Sequence, residues 1–454
     1  MFNPGDMIIL VTVLLALVFC GLHIAIALGI TSMIGIYLVN GDINTVKAFT
    51  ASTAYEALRD YVFAVIPLFM LMGEFLAKCG AAKDMFALIN RLTKWVPGRL
   101  GVATVLANAV FAFVTGVSIA AAAAFSKIAY PEMRRYGYER KFSLGCIAGS
   151  ACLGMLIPPS VLMIVWGVLT ELAIGKLFIA GIIPGFIVVA FYIAYIVWVA
   201  KTQPARVGEG VTLPQAQQEA RSANASVEEA SLMTILWSTF GILSLVVLVL
   251  GGIWLGAFTP TEGAGVGATL ALLLALMRGM KLPAMLEVIL SVGKTSAPLL
   301  LLLVTAQLYS RVLSMTGITG AAKEFFLSSG MSPYMILFIM VVVWFLLGCI
   351  IDSISIILLT VPVFGPLAVA LGFDPIAFAI LGIIAIETGL LTPPFGLLVF
   401  TVKAAVTDEK NLSAGEIFRG SVAYWVCLLG VIVVIAIFPQ VATWLPNLGN
   451  PVVK

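Results

Sequence analysis

Long apolar stretches, spaced along the whole chain, constrain this sequence more than any other feature. They run near 7–22, 23–40, 60–79, 100–130, 142–170, 177–200, 232–250, 253–277, 285–313, 334–370, 376–406 and 421–446. A bilayer core takes about 20 apolar residues per helical span. Hydrophobic residues make up 61% of the chain and charged residues 10%, against about 25% charged in a soluble domain. The chain therefore reads as an all-α polytopic membrane protein.

The remaining composition removes other classes. His23 is the single histidine and lies in an apolar run, so no histidine metal cluster or relay is available, and a packed core role is expected. Cys20, Cys79, Cys146, Cys152, Cys349 and Cys427 lie in or beside apolar stretches without metal-ligand spacing; inert core thiols are expected. A net charge of +3 points to no nucleic acid. No glycine-rich phosphate loop precedes a Lys-Ser or Lys-Thr pair, which excludes ATP as fuel. The amino terminus, Met1 to Asp6, lacks the basic region of a cleaved signal, so the first run is expected to be retained as a span.

The long polar stretch 201–231 divides the chain into halves, 1–200 and 232–454, which resemble each other. Gly80-Ala81-Ala82-Lys83 is echoed by Gly320-Ala321-Ala322-Lys323, and the run ending in Pro158-Pro159 by the one ending in Pro393-Pro394. Pro131 and Gly137 precede the first pair by the intervals at which Pro366 and Gly372 precede the second. A duplicated unit accounts for these matches. Arg91, Lys94 and Arg99 precede the 100–130 run, and Arg134, Arg135, Arg140 and Lys141 follow it. Both flanks are then cytoplasmic, so the run enters and returns as a hairpin rather than crossing. The 334–370 run has almost no basic flank and fits the opposite face. The expected architecture is an inverted repeat: each half has about five spans and one re-entrant hairpin. The hairpins are 100–130 and 334–370; the interrupted spans are 142–170 and 376–406. Both termini then lie outside and the 201–231 linker inside.

Backbone that leaves the helix inside lipid must be buried or line a wet cavity. Such breaks are expected at the hairpin tips, near Gly116 and Ser353, and before each Pro-Pro pair, where proline removes an amide donor. Freed carbonyls and Ser or Thr hydroxyls suit Na⁺, and half-helix amino termini suit a carboxylate. One cation is expected beside each tip-and-break pair, with substrate between them. The candidate substrate contacts are Ser118, Ser150, Asp352, Ser355, Pro159 and Pro394. Asp352 either contacts substrate or caps the arm that follows. Glu387 either assists an ion or bonds freed backbone, the second being preferred; Glu74 and Glu262 are expected to bond neighbouring spans. Lys127 is expected to snorkel to the basic interface, the alternative being a direct substrate contact. Most of Trp95, Trp166, Trp237, Trp254 and Trp444 are expected to be interfacial anchors, and Gly263–Gly267 a close-packing run.

The stretches Tyr130-Pro131-Glu132-Met133-Arg134-Arg135-Tyr136-Gly137, Leu153–Ser160, Phe258–Glu262, Leu347–Asp352 and Glu387–Pro394 together resemble the large membrane subunit of a tripartite ATP-independent periplasmic (TRAP) transporter. The resemblance runs through most of both halves. It implies an elevator-type transporter of the bacterial inner membrane, driven by Na⁺ and not by ATP. The implied partners are a small four-helix membrane subunit and a periplasmic substrate-binding protein that delivers an organic acid. The implied sodium ligands are Gly116, Ser118, Gly149, Gly154, Ser353, Ser355, Thr388, Gly389 and Thr392. One departure is Gly116-Val117-Ser118, where such proteins commonly read Gly-Ser-Ser; a side-chain role for the middle residue is lost. The rival readings are a stand-alone carboxylate–cation symporter, a passive channel, and a membrane enzyme using Asp352 and Glu387.

Overall fold

Helices follow one another wherever the apolar runs predict them. The structure is a computed structural model and describes residues 4–209, 232–407, 409 and 411–448. The first half begins with α1 (Pro4–Phe19), α2 (Ile24–Asn40), α3 (Ile43–Arg59), α4 (Val65–Lys78) and α5 (Ala81–Leu92). The pair α6 (Arg99–Thr115) and α7 (Ser118–Arg135) follows. Next come α8 (Arg140–Ala151), the single turn α9 (Leu153–Leu156), α10 (Val161–Thr170) and α11 (Ile174–Thr202). The second half has α12 (Leu232–Trp254), α13 (Pro260–Met277), α14 (Leu282–Met315) and α15 (Ile318–Ser328). The pair α16 (Pro333–Gly348) and α17 (Ser353–Ala370) precedes α18 (Pro375–Gly389), α19 (Leu397–Ala405), α20 (Ala414–Ile437) and α21 (Gln440–Leu448). Residues 210–231 of the expected linker lie outside the described residues.

Caps set several helix starts. Ser332 and Asp374 each accept amides of the following turn, and proline occupies the first helical position after each. Thr259 and Glu262 close a reciprocal capping box at 3.2 and 2.8 Å. Glu262 thus serves its own helix and does not bond a neighbouring span; Glu74 has no hydrogen bond or ion pair among the described residues. His23 is exposed, and its Nδ1 accepts the Ala25 amide at 3.3 Å, so it caps α2 instead of packing in the core. Of the thiols, Cys146, Cys152 and Cys349 are buried, while Cys20 is exposed and Cys79 and Cys427 are half-buried.

Each helical pair turns back on itself. The Arg99 guanidinium stands 4.8 Å over the Tyr136 ring, and the Leu100 amide donates to the Tyr138 hydroxyl at 3.1 Å. The start of α6 and the end of α7 therefore share one end of the molecule, the basic end. The Tyr334 and Phe373 rings, at the start of α16 and just after α17, meet edge to face at 5.8 Å. The segment α8–α10 leaves the basic end at Arg140 and passes the first tip. The segment α18–α19 starts beside the base of the second pair, passes the second tip and reaches Glu409 at the basic end.

Small residues allow the tightest crossing. An added Cβ at Gly145 of α8 would lie 2.1 Å from the Gly420 carbonyl oxygen of α20, so only hydrogen fits. The glycine run on α13 packs similarly at Gly263 and Gly267, against Ile253 and Met72. Trp166 is not an interfacial anchor: it is 1% exposed and its ring centroid lies 5.8 Å from that of Trp344. Trp344 in turn donates to the Thr360 hydroxyl at 2.8 Å.

At the basic end, Glu409 binds Arg134 at 3.4 Å, Arg140 at 3.0 Å and the Tyr130 hydroxyl. Burial alone would raise its carboxyl, but the Tyr130 hydroxyl and the two guanidinia outweigh that and hold it below its ordinary value. The stabilisation from this lowered group is complete above the ordinary carboxylate range and is lost as pH falls through the lowered value. Glu409→Gln is expected to flatten the acid limb of a plot of thermal midpoint against pH in detergent; an unaltered acid limb would remove Glu409 from that role. Gly145→Ala is expected to cost about 1–3 kcal/mol by denaturant titration. Gly265→Ala, on a helix with open space around the site, should cost nothing, and equal effects would refute the tight crossing.

Candidate functional site

The two helical pairs meet tip to tip on one carboxylate. Glu387, at the end of α18, is 1% exposed. Ser118 Oγ, the first residue of α7, donates to its Oε2 at 2.6 Å. Ser353 Oγ, the first residue of α17, donates to its Oε1 at 2.9 Å. Each tip is also stitched to the chain that follows a Pro-Pro pair. The Gly116 carbonyl accepts the Val161 amide at 3.2 Å, and the Cys349 carbonyl accepts the Phe395 amide at 3.1 Å. Helices α7, α10, α17 and α19 thus begin around this level, and α6, α9, α16 and α18 end there. Amino termini bring partial positive charge and carboxyl termini partial negative charge to one level of the molecule. Such a site offers places for an anion and for a hard cation without any metal cluster; among the described residues none exists.

This arrangement has relatives. Residues 11–441 match the family model for the tripartite ATP-independent periplasmic transporter, DctM component. The chain belongs to that family. Similar proteins include the C4-dicarboxylate TRAP transporter large permease protein DctM of Pseudomonas aeruginosa, 34% identical, with 93% of this chain and 94% of the relative covered. The sialic acid TRAP transporter large permease protein SiaM of Vibrio cholerae is 27% identical over 96% of this chain and 97% of the relative. Among solved structures, the YdaH transporter of Alcanivorax borkumensis shares the fold, with a TM-score of 0.61 and 14% identity, over 88% of this chain and 90% of that one. The relatives are permeases, which sets the enzyme reading aside. The family and the apolar helices make this a multi-pass inner-membrane protein.

Within this TRAP subunit the expected site residues separate into groups. Ser118, Ser353 and, through its backbone, Gly116 stand at the junction itself. Gly116 has φ +60°, and an added Cβ would lie 2.3 Å from the Pro159 carbonyl oxygen. Gly154 packs on the Ser118 backbone and Gly389 on Gly348. Asp352 caps α17 by accepting the Ser355 amide at 3.0 Å, and the Ser355 hydroxyl donates to it as well. Ser150 bonds neither tip: its hydroxyl donates to the Cys146 carbonyl at 2.7 Å and accepts from Asn108 Nδ2 at 2.7 Å. Gly149 makes room for the Tyr424 ring. Thr388 bonds back to Ile384 at 2.6 Å, and Thr392 bonds Gly389 at 2.8 Å and meets Cys349 Sγ. Pro159 is buried and Pro394 exposed.

Glu387 does not bond freed backbone as preferred from sequence; both its oxygens take tip serines. Asn108 was missed altogether, although a lone amide in the 100–130 apolar run is its own signal. The close approach at Gly116 yields a test. Alanine in the left-handed region costs about 1–2 kcal/mol. Gly372→Ala, at φ +85° in open space, should lose that much in a thermal melt. Gly116→Ala should lose clearly more, because the first tip must also shift from the break; equal losses would contradict the contact.

Proposed function

We propose that the chain is the large transmembrane subunit of a sodium-coupled, binding-protein-dependent secondary transporter that imports a small organic acid by an elevator motion. The observation that carries this reading is the shared carboxylate. Ser118 and Ser353 belong to different halves, yet both hydroxyls end on Glu387, so tips and breaks form one body that can move as a unit. The two halves are read as an inverted repeat with the basic end cytoplasmic and both termini outside.

Sodium suits the donors: main-chain carbonyls and hydroxyls are hard oxygens. Asn108 Oδ1, fully buried with no donor, supplies a further spare oxygen beside the first break. Anionic cargo suits the amino termini of α7 and α17. The relatives named above carry C4-dicarboxylate and sialic acid in their names, which supports an organic acid. A small four-helix subunit and a periplasmic binding protein are the proposed partners.

The test is uptake into proteoliposomes holding this chain, its small subunit and its binding protein. An imposed sodium gradient should drive accumulation, and the chain alone should not. Sodium-independent uptake, or full uptake by the chain alone, would overturn the proposal. Ser353→Ala leaves one tip of the junction without its bond to Glu387. A hydrogen bond to a charged group is worth about 1.5–3 kcal/mol, so half-activation should require at least about tenfold more sodium. An unchanged sodium response would remove Ser353 from the ion site.

A further inference from the structure

Exposure is distributed unequally between the two breaks. Residues 151–160, with Pro158 and Pro159, are wholly buried, whereas Pro393, Pro394 and Phe395 are exposed, Phe395 at 60%. Non-helical backbone exposed at membrane depth has to face water, so the second break opens on a wet space. Helix α19 runs from that break towards the basic end with Leu398, Val399 and Val402 buried and Leu397, Phe400 and Lys403 exposed. Helix α7 packs against it and runs the same way from the first tip. It buries Ala121, Ala122, Phe125 and Ala129 and leaves Ile119, Lys127 and Pro131 exposed.

Each helix therefore presents one exposed lysine between the site and the basic end. Lys127 lies about 14 Å along the axis from Ser118, and Lys403 about 9 Å from Leu397, the first residue of α19. Tyr130, one turn after Lys127, bonds Glu409, which follows the end of α19; the bond ties the two segments together at the basic end. Residues three apart are neighbours on a helix surface, so Lys127 lies beside Tyr130, the residue that bonds Glu409. Neither lysine forms an ion pair among the described residues. The ammonium of Lys403 rests 6.0 Å from the Phe400 ring centroid. Charged side chains at membrane depth face a water-filled cavity or a partner.

We propose that Lys127 and Lys403 form an oxyanion way-station in a water-filled vestibule that runs from the second break to the basic end. Its cargo is the carboxylate of the transported acid on its way to the cytoplasm. This step rests on the transport reading above; its test does not. Ala123→Cys, one turn from Lys127 on the same face, and Leu397→Cys, beside the break, serve as reporters in the full chain. They are exposed in inside-out vesicles to membrane-impermeant anionic and cationic methanethiosulfonates. Labelling is read residue by residue by mass spectrometry, with buried Cys146 and Cys152 as internal controls.

Both reporters should react, and the anionic reagent should be favoured at Ala123→Cys relative to a free thiol. Adding Lys403→Gln or Lys127→Gln should each reduce that preference about fivefold. The preference should persist when vesicles contain anionic phosphatidylglycerol. Absence of labelling at both reporters would place this face against lipid and overturn the proposal. Labelling without an anionic preference would make the lysines idle, with the same consequence. Collapse of the preference in phosphatidylglycerol would assign them to lipid headgroups and end the way-station. No sodium, substrate or partner chain enters the measurement, so failure here leaves the transport reading standing, and failed sodium activation leaves the vestibule standing.

Discussion

A carboxylate buried where helices are interrupted has to find donors at that spot, because lipid and packed side chains provide none. Glu387 finds them in the serine hydroxyls that open α7 and α17. Separating either tip from the other would strip a bond from a buried acidic group, at about 1.5–3 kcal/mol. The tips are consequently held as one body, and every other feature of the site is arranged around that body. Gly116 is left-handed so that the first tip can press on Pro159, and Asp352 caps α17 so that Ser353 is presented rather than frayed.

The two halves solve the same covalent problem with different surroundings. In both, a tip carbonyl receives an amide from just beyond a Pro-Pro pair. The first break is then covered by α11: an added Cβ at Gly181 would lie 2.6 Å from the Leu156 carbonyl, and one at Gly185 would lie 2.8 Å from Ile157. Among the described residues, the second break has no equivalent lid over Pro393–Phe395. One half thus contributes a buried break and the other an exposed one, although the sequence reads as two similar units.

Much of the site was legible because prolines, glycines and polar residues are conspicuous in apolar runs. The interruptions followed from proline chemistry, and the capping alternative for Asp352 from Ser-Ile-Ser after it. Trp166 has a local pattern compatible with an interface, but its partner, Trp344, comes from a segment far away; Ser150 and Gly149 likewise meet distant residues, Asn108 and Tyr424. His23 and Glu262 erred the other way, since helix caps within three residues explain both.

By itself the sequence determined that this chain lives in a membrane, that it folds as helices, and where those helices must fail. These are properties of each segment against its solvent: apolar length, proline's missing donor and glycine's free φ act within a few residues. Only the tertiary structure decided which failures meet, that a single glutamate joins tips from opposite halves, and which break is exposed. Those outcomes depend on pairings across hundreds of residues, where burial and hydrogen-bond geometry, not local preference, select the partner.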